Sequence, residues 1–176
     1  MNKPILNVKE LRLIIKMVKS KSDCVCFVNN PCLGKVYLPY GTFGDIRIKN
    51  KPRGAFGYEH IIQKRYEVDN LQLDELTGLI ILTLEKVKTI NPILLNRDRF
   101  NIISDGIVIS IQRNFSGTNN NWIITSYPED IDGIIKKEAR DSIQSVIEQY
   151  RYFHEFSEVR TQVGALTSTI NIVRDA

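Results

Sequence analysis

The hydrophobic pattern of this chain changes period near residue 92, and that change restricts the fold more than any other feature. Before it, Leu76, Leu79, Ile80, Thr83, Leu84 and Val87 recur at helical spacing within Leu71–Asn91, the stripe of an amphipathic helix. Asp74 and Glu75 stand in its first turn and Lys86 and Lys88 in its last turns, where the helix dipole favours each charge; Asn91-Pro92 ends the run. After it, Phe100–Ile103, Gly106–Phe115 and Trp122–Tyr127 are rich in β-branched and aromatic residues. Ser116-Gly117-Thr118-Asn119-Asn120-Asn121 reads as a long polar hairpin loop. A helix that must bury a stripe, next to strands that must bury a face, implies an α+β fold with helices packed on a small antiparallel sheet.

The rest of the chain fits around that unit. Val8 to Val18 places apolar residues at 8, 11, 14, 15 and 18, an amphipathic helix. Cys24–Val28 reads as a short strand and Asn29-Asn30-Pro31 as a turn. Gly34–Tyr40 and Asp45–Lys49 alternate apolar and polar residues around Gly41-Thr42-Phe43-Gly44, as a hairpin or a pair of extended segments. Ile131 to about Phe156 returns to helical spacing, whereas the residues from Arg160 onward lack a clear period. The expected division is an N-terminal helix and strand extension over 1–33, a core over 34–128 and a helical, acidic C-terminal extension over 129–176.

At 176 residues, with 43% hydrophobic and 25% charged content, the chain suits one soluble domain with a real core. No apolar run approaches the roughly 18 to 20 residues of a membrane span. Lys9, Glu10, Arg12 and Lys16 interrupt the apolar residues of the N-terminus, so it lacks the pattern of a secretory signal. A cytoplasmic protein without membrane association is expected. Cys24, Cys26 and Cys32 are odd in number, and no fourth ligand lies at zinc-site spacing. Reduced, buried thiols are expected, with Cys24 and Cys26 on one strand face, and no metal site. Residues 1–128 hold 18 Lys and Arg against 11 Asp and Glu, whereas 129–176 hold 6 against 9. A basic body with an acidic tail suits a polyanionic ligand.

The chemistry concentrates in Gly54-Ala55-Phe56-Gly57-Tyr58-Glu59-His60-Ile61-Ile62-Gln63-Lys64-Arg65, which follows the basic residues Lys49, Lys51 and Arg53. Tyr58, Ile61, Ile62 and Tyr66 form a helical stripe, and His60 and Lys64, four residues apart, share a ridge. An imidazole exchanges protons near neutral pH, while guanidinium and ammonium groups hold phosphate oxygens. The same residues also fit an ordinary solvated helix face. A second group comes from the 106–127 hairpin. If its loop centres near residue 118, then 113 faces 123 and 111 faces 125, which puts Arg113, Thr125 and Tyr127 on one sheet face. A slip of one residue would separate them. No phosphate-binding Gly-rich loop, His-Glu-x-x-His or nucleophile elbow is present, which disfavours nucleotide hydrolysis, zinc proteolysis and esterase chemistry.

Taken in order, Gly-Asp-Ile, a basic loop, Gly-Ala-Phe-Gly-Tyr-Glu-His-Ile-Ile-Gln-Lys-Arg, a long helix, a strand and Trp-Ile-Ile-Thr-Ser-Tyr resemble the barnase–EndoU–colicin E5/D–RelE superfamily of ribonucleases. The likeness covers roughly residues 34–128 and is greatest to the branch of phage polyvalent proteins and bacterial toxins. It implies a metal-independent, cofactor-free endoribonuclease toxin that forms a 2′,3′-cyclic phosphate, with tRNA as the substrate that family precedent points to. Carried over, the catalytic residues are His60, Arg65, Thr125 and Tyr127, with Lys64, Arg113, Arg53 and Lys51 binding substrate. His60 is expected to be exposed in a cleft, and an acidic immunity or antitoxin protein is the expected partner. The alternative is a non-catalytic phage or toxin-system module that binds RNA or an acidic partner through its basic face.

Overall fold

The computed structural model describes residues 3–43, 54–91, 97–114 and 120–175. Its centre is the helix the sequence marks most clearly, α3 (Leu73–Thr89). Gln72 caps it by accepting from the Glu75 amide, while the Glu75 carboxylate accepts from the Gln72 amide at 2.7 Å. Every residue from Leu76 to Glu85 is buried, more than the single stripe of a surface helix. The reason is that α3 is covered on both sides. One side meets the sheet; the other meets α4 (Lys137–Tyr150) and α5 (His154–Asp175). Gly78 sits at the α4 contact, where a Cβ would lie 2.9 Å from Ile147 Cγ1. The missing side chain lets the two helices approach.

The sheet has five strands: β1 (Phe27–Asn30), β2 (Gly34–Tyr37), β3 (Arg99–Ser104), β4 (Ile107–Arg113) and β5 (Asn121–Pro128). Their spatial order is β1-β2-β5-β4-β3. The α+β class holds, with one difference from an all-antiparallel sheet. β2 and β5 pair in parallel, Val36 opposite Asn121 and Tyr37 opposite Trp122, because α2 (Gly57–Glu67) and α3 intervene between them in the chain. One sheet face carries Val28, Val36, Phe100, Ile102, Ile109, Ile111 and Ile123 into the core beneath α3. The other face carries polar and aromatic side chains together with the buried Val108 and the exposed Ile103.

Buried polar groups fix how α3 meets its neighbours. Asn30 donates from Nδ2 to the Val87 and Ile90 carbonyls and accepts at Oδ1 from the Cys32 and Leu33 amides. It thereby joins the β1–β2 turn to the end of α3. Thr83 and Ser126 exchange a buried hydroxyl contact of 2.7 Å between α3 and β5. Opposite the sheet, the Tyr150 hydroxyl donates to Glu85 Oε1 at 2.5 Å and accepts from the Leu6 amide at 2.8 Å. Core residues of α1 (Val8–Ser20), α4 and α5 belong to the same hydrophobic cluster as those of the sheet.

Three local expectations change. Pro128-Glu129-Asp130 does not lead directly into a helix: β6 (Asp130–Ile131) and β7 (Ile134–Ile135) form a small hairpin first, turning at Asp132 and Gly133, both at positive φ. The helical run to Phe156 is two helices broken near residues 151–153, and the stretch from Arg160 lies within α5. The buried apolar residues of α5, Phe156, Val159, Val163, Leu166 and Ile170, do recur at helical spacing, but Gly164, Ala165, the intervening Ser and Thr residues and the exposed Ile172 and Val173 blur that period in the sequence. Of the thiols only Cys26 is buried, while Cys24 and Cys32 are exposed, since β1 starts at Phe27, after the Cys24-Val25-Cys26 alternation.

Tyr150→Phe tests the Glu85 contact. It leaves a buried amide and carboxylate short of a partner, and should lower unfolding stability by about 1–3 kcal/mol in denaturant titrations. Burial pushes the Glu85 carboxyl above its ordinary value of 4.5, opposed by the Tyr150 hydroxyl. A carboxyl raised in the fold loses its contribution as pH rises. The variant's deficit should therefore be larger at pH 7 than at pH 4.5.

Candidate active site

Helix α2 has little amphipathic drive of its own and is positioned by its ends. No side chain caps its N-terminus at Phe56. Instead the Tyr58 amide donates to the Pro39 carbonyl and the Glu59 amide to the Tyr40 carbonyl, both at 2.9 Å, while the Thr42 amide donates to Phe56 at 3.1 Å. The two backbone segments touch. A Cβ at Gly41 would lie 1.7 Å from the Phe56 oxygen and one at Gly57 2.6 Å from the Pro39 oxygen, and both glycines hold positive φ. Glu59 serves this joint: Oε2 accepts from the Phe43 amide at 3.1 Å. At the other end the Tyr66 hydroxyl donates to Asn171 of α5 at 3.0 Å.

Thr125 and Tyr127 reach the open sheet face through an irregularity that the sequence does not reveal. β4 pairs Ser110 with Thr125 and Ile111 with Ile123, leaving Ile124 as an extra residue in β5. Such a bulge reverses side-chain alternation. Ile111 and Ile123 point to the core, while Ser110, Thr125 and Tyr127 stand on the opposite face. The expected pairing of 113 with 123 is replaced by Arg113 opposite Asn121. Arg113, Ile111 and Ile123 therefore share one side, and Thr125 and Tyr127 take the other.

Helix and sheet enclose a cleft of about 380 Å³. Its walls are His60, Lys64 and Arg65 from α2, Gly54 to Phe56 before it, Arg99 of β3, Gln112 of β4, and Ile124, Thr125 and Tyr127 of β5. Five expected site residues, His60, Lys64, Arg65, Thr125 and Tyr127, thus meet in one place. Arg113 does not line the cleft, and Lys51 and Arg53 lie outside the described residues. Arg99 and Gln112 were not expected; they face each other across the β3–β4 ladder, a relation visible only once the register is known. A hollow of about 390 Å³ between α3 and α4 includes Lys86 and Asp105, which form an ion pair, and contains no imidazole. His154 is an exposed residue of α5, 2.7 Å from Glu158.

His60 is 7% exposed, not open to solvent as the sequence suggested, because the Gly54–Phe56 segment and β5 close around it. Its Nδ1 is buried without a hydrogen-bond partner among the described residues. Burial, then the charges of Lys64 and Arg65, push its pKa from the ordinary 6.5 down to about 4. Arg65 is 5% exposed, and its Nε likewise has no partner among the described residues. One guanidinium nitrogen meets Asp69 at 2.5 Å, and the group lies 5.4 Å from the centre of the Tyr127 ring. Burial lowers the pKa of Arg65 and raises that of Asp69, each opposed by the other's charge. Burial, then Arg65, also lowers the Lys64 ammonium. The site offers a neutral imidazole, an oriented guanidinium, an ammonium inclined to release its proton, and the Thr125 hydroxyl.

These states can be observed. Imidazole NMR should show His60 neutral down to about pH 4, with Lys64→Gln moving the midpoint upward by removing a positive charge. A midpoint near 6.5 in the parent would contradict the burial argument. Between pH 6.5 and about 4 the unfolded chain binds a proton that folded His60 refuses. This residue therefore makes the fold less stable as pH falls through that window.

A family model described as phage-Barnase-EndoU-ColicinE5/D-RelE like nuclease1 matches residues 28–134, more than half of the chain, including α2, α3 and all the strands that line the cleft. No curated protein and no solved structure matches.

Proposed function

Because the chain belongs to the phage-Barnase-EndoU-ColicinE5/D-RelE like nuclease family, we propose that its cleft cleaves RNA by intramolecular transesterification, without a metal ion. The observation that carries this reading is a pair of buried nitrogens, His60 Nδ1 and Arg65 Nε, that have no hydrogen-bond partner among the described residues and lie in one cleft with Thr125 and Tyr127. Buried polar atoms are normally hydrogen-bonded. An imidazole and a guanidinium left short of partners suit a ligand with oxygen atoms and negative charge.

In the proposed reaction the neutral His60 accepts the proton of a ribose 2′-OH. The 2′-oxygen bonds to the adjacent phosphorus, and the bond from phosphorus to the 5′-oxygen breaks. Lys64 donates a proton to that leaving oxygen, giving a 2′,3′-cyclic phosphate and a 5′-OH. Arg65, held by Asp69 and the Tyr127 ring, takes the developing charge on the phosphoryl oxygens, with the Thr125 hydroxyl as a second donor. Tyr127 orients Arg65 rather than transferring a proton. tRNA is the proposed substrate and toxicity the proposed consequence. A non-catalytic RNA-binding module would need neither a neutral imidazole nor a proton donor beside the clamp.

Incubation of the purified protein with total tRNA in EDTA, followed by end-group analysis, tests the reaction. Cyclic phosphate and 5′-OH ends are expected. Loss of cutting in EDTA with recovery in magnesium would overturn the metal-free mechanism, and retained RNA without new ends would support the binding module.

His60→Gln keeps a polar side chain of similar bulk and should lower kcat/KM by about 10²–10⁴, or roughly 3–5 kcal/mol. Lys64→Arg should keep substrate affinity but lose kcat, since a guanidinium does not give up a proton. Unchanged rates in both variants would exclude these roles.

A further inference from the structure

The open face of the sheet continues beyond the cleft as one row of side chains. Arg99 pairs with Gln112, Gln112 with Trp122, Trp122 with Tyr37 and Tyr37 with Phe27. The row crosses all five strands, from β3 to the edge strand β1, and its first two members line the cleft. The last three are aromatic. Tyr37 and Trp122 have ring centres 5.3 Å apart, and Phe27 and Tyr37 5.7 Å apart. Lys35, exposed on β2, holds its ammonium 4.6 Å from the Phe27 ring centre.

We infer that this row is a stacking track for the unpaired bases of single-stranded RNA flanking the scissile phosphate. The inference rests on the proposed ribonuclease reading and adds the form of the substrate. Aromatic rings accept any base, because every base has a π-face, and cations beside them track the phosphates. The three strand spacings from Gln112 to Phe27, at about 4.8 Å each, make a path of about 14 Å, long enough for bases beyond the one being cut. Trp122 is only 5% exposed, so it backs Tyr37, while Tyr37 and Phe27, both half-buried, present the accessible rings. Lys35 is placed to exchange the Phe27 ring for a phosphate, and Arg99 supplies a cation at the opposite end. The occupant is unpaired RNA rather than duplex, because an A-form helix keeps its bases stacked inside and offers no ring to this face.

Binding of fully 2′-O-methyl RNA, which has no attacking hydroxyl, tests the track independently of cleavage. The probes are a labelled dinucleotide, a mixed-sequence hexanucleotide and a duplex of the same sequence, followed by fluorescence anisotropy with the full chain. The hexanucleotide should bind at least about tenfold more tightly than the dinucleotide or the duplex, given the usual contribution of a stacked base. Tyr37→Leu and Phe27→Leu should each remove most of that gain and leave the dinucleotide unchanged. Lys35→Gln, on an exposed side chain that packing does not require, should reduce the salt slope of hexanucleotide binding by about one. It serves even if the aromatic variants fail to fold. Equal affinity for the three probes, or parental hexanucleotide affinity and salt slope in all folded variants, would overturn the track. A parent that shows the length effect but never cuts tRNA would leave the track standing and remove the ribonuclease reading. A parent that cuts tRNA without a length effect would do the reverse.

Discussion

The hydrogen bonds from the first turn of α2 to the Pro39 and Tyr40 carbonyls fix where His60, Lys64 and Arg65 stand relative to the sheet. Helix α2 lacks a capping side chain and buries most of its circumference, including His60, Gln63 and Arg65, so packing alone does not select its rotation or its height above the sheet. Two backbone amides delivered to the chain leaving β2 do. Since β2 runs beside β5, the same contact sets the distance from His60 to Thr125. The close passage of Gly41 and Gly57 is the condition for it. A side chain at either position would force the strand and helix apart.

Desolvation then determines the charge state within the cleft. Three groups that can be cationic, His60, Lys64 and Arg65, lie together on one helix. Full protonation of all three in a poorly hydrated space is unfavourable. The guanidinium keeps its charge because Asp69 and the Tyr127 face compensate it. The imidazole gives up its proton, and the ammonium holds one less firmly. A single physical cause thus leaves one stretch of helix with a neutral imidazole, an ammonium of lowered proton affinity and a fixed charge, the groups that the proposed proton transfers would draw on. Membership of a nuclease family gives that arrangement a chemical context.

Much of this was legible in the sequence, and the failures have specific causes. The α3 stripe, the β-rich segment after it and the His60–Lys64 ridge depend on local periodicity, which survives folding. Thr125 and Tyr127, reached both from a regular hairpin register and from the resemblance, do line the cleft, although that register was wrong. One extra residue at Ile124 exchanged the faces, and it removed Arg113 from their company while leaving Gln112 and Arg99 beside them. No local property of Ile123-Ile124-Thr125 announces that irregularity. The burial of His60 was equally unreadable, since it comes from segments distant in sequence. The period of α5 beyond Arg160 went unread because its stripe, Val163, Leu166 and Ile170, is diluted by small and hydroxyl residues and by the exposed Ile172 and Val173.

The bulge in β5 has a consequence for how this protein can vary. In a regular strand Ile123 and Thr125 would share a face, and a change at one would be felt by the other. Here the side of Ile123 is fully buried in the core and that of Thr125 opens on the cleft. Core packing and the lining of the candidate cleft are thereby assigned to adjacent but separate addresses along the same strand. The cleft can be re-tuned at Thr125 and Tyr127 without disturbing the hydrophobic layer beneath it. Deletion of one residue at Ile124 would merge the two again.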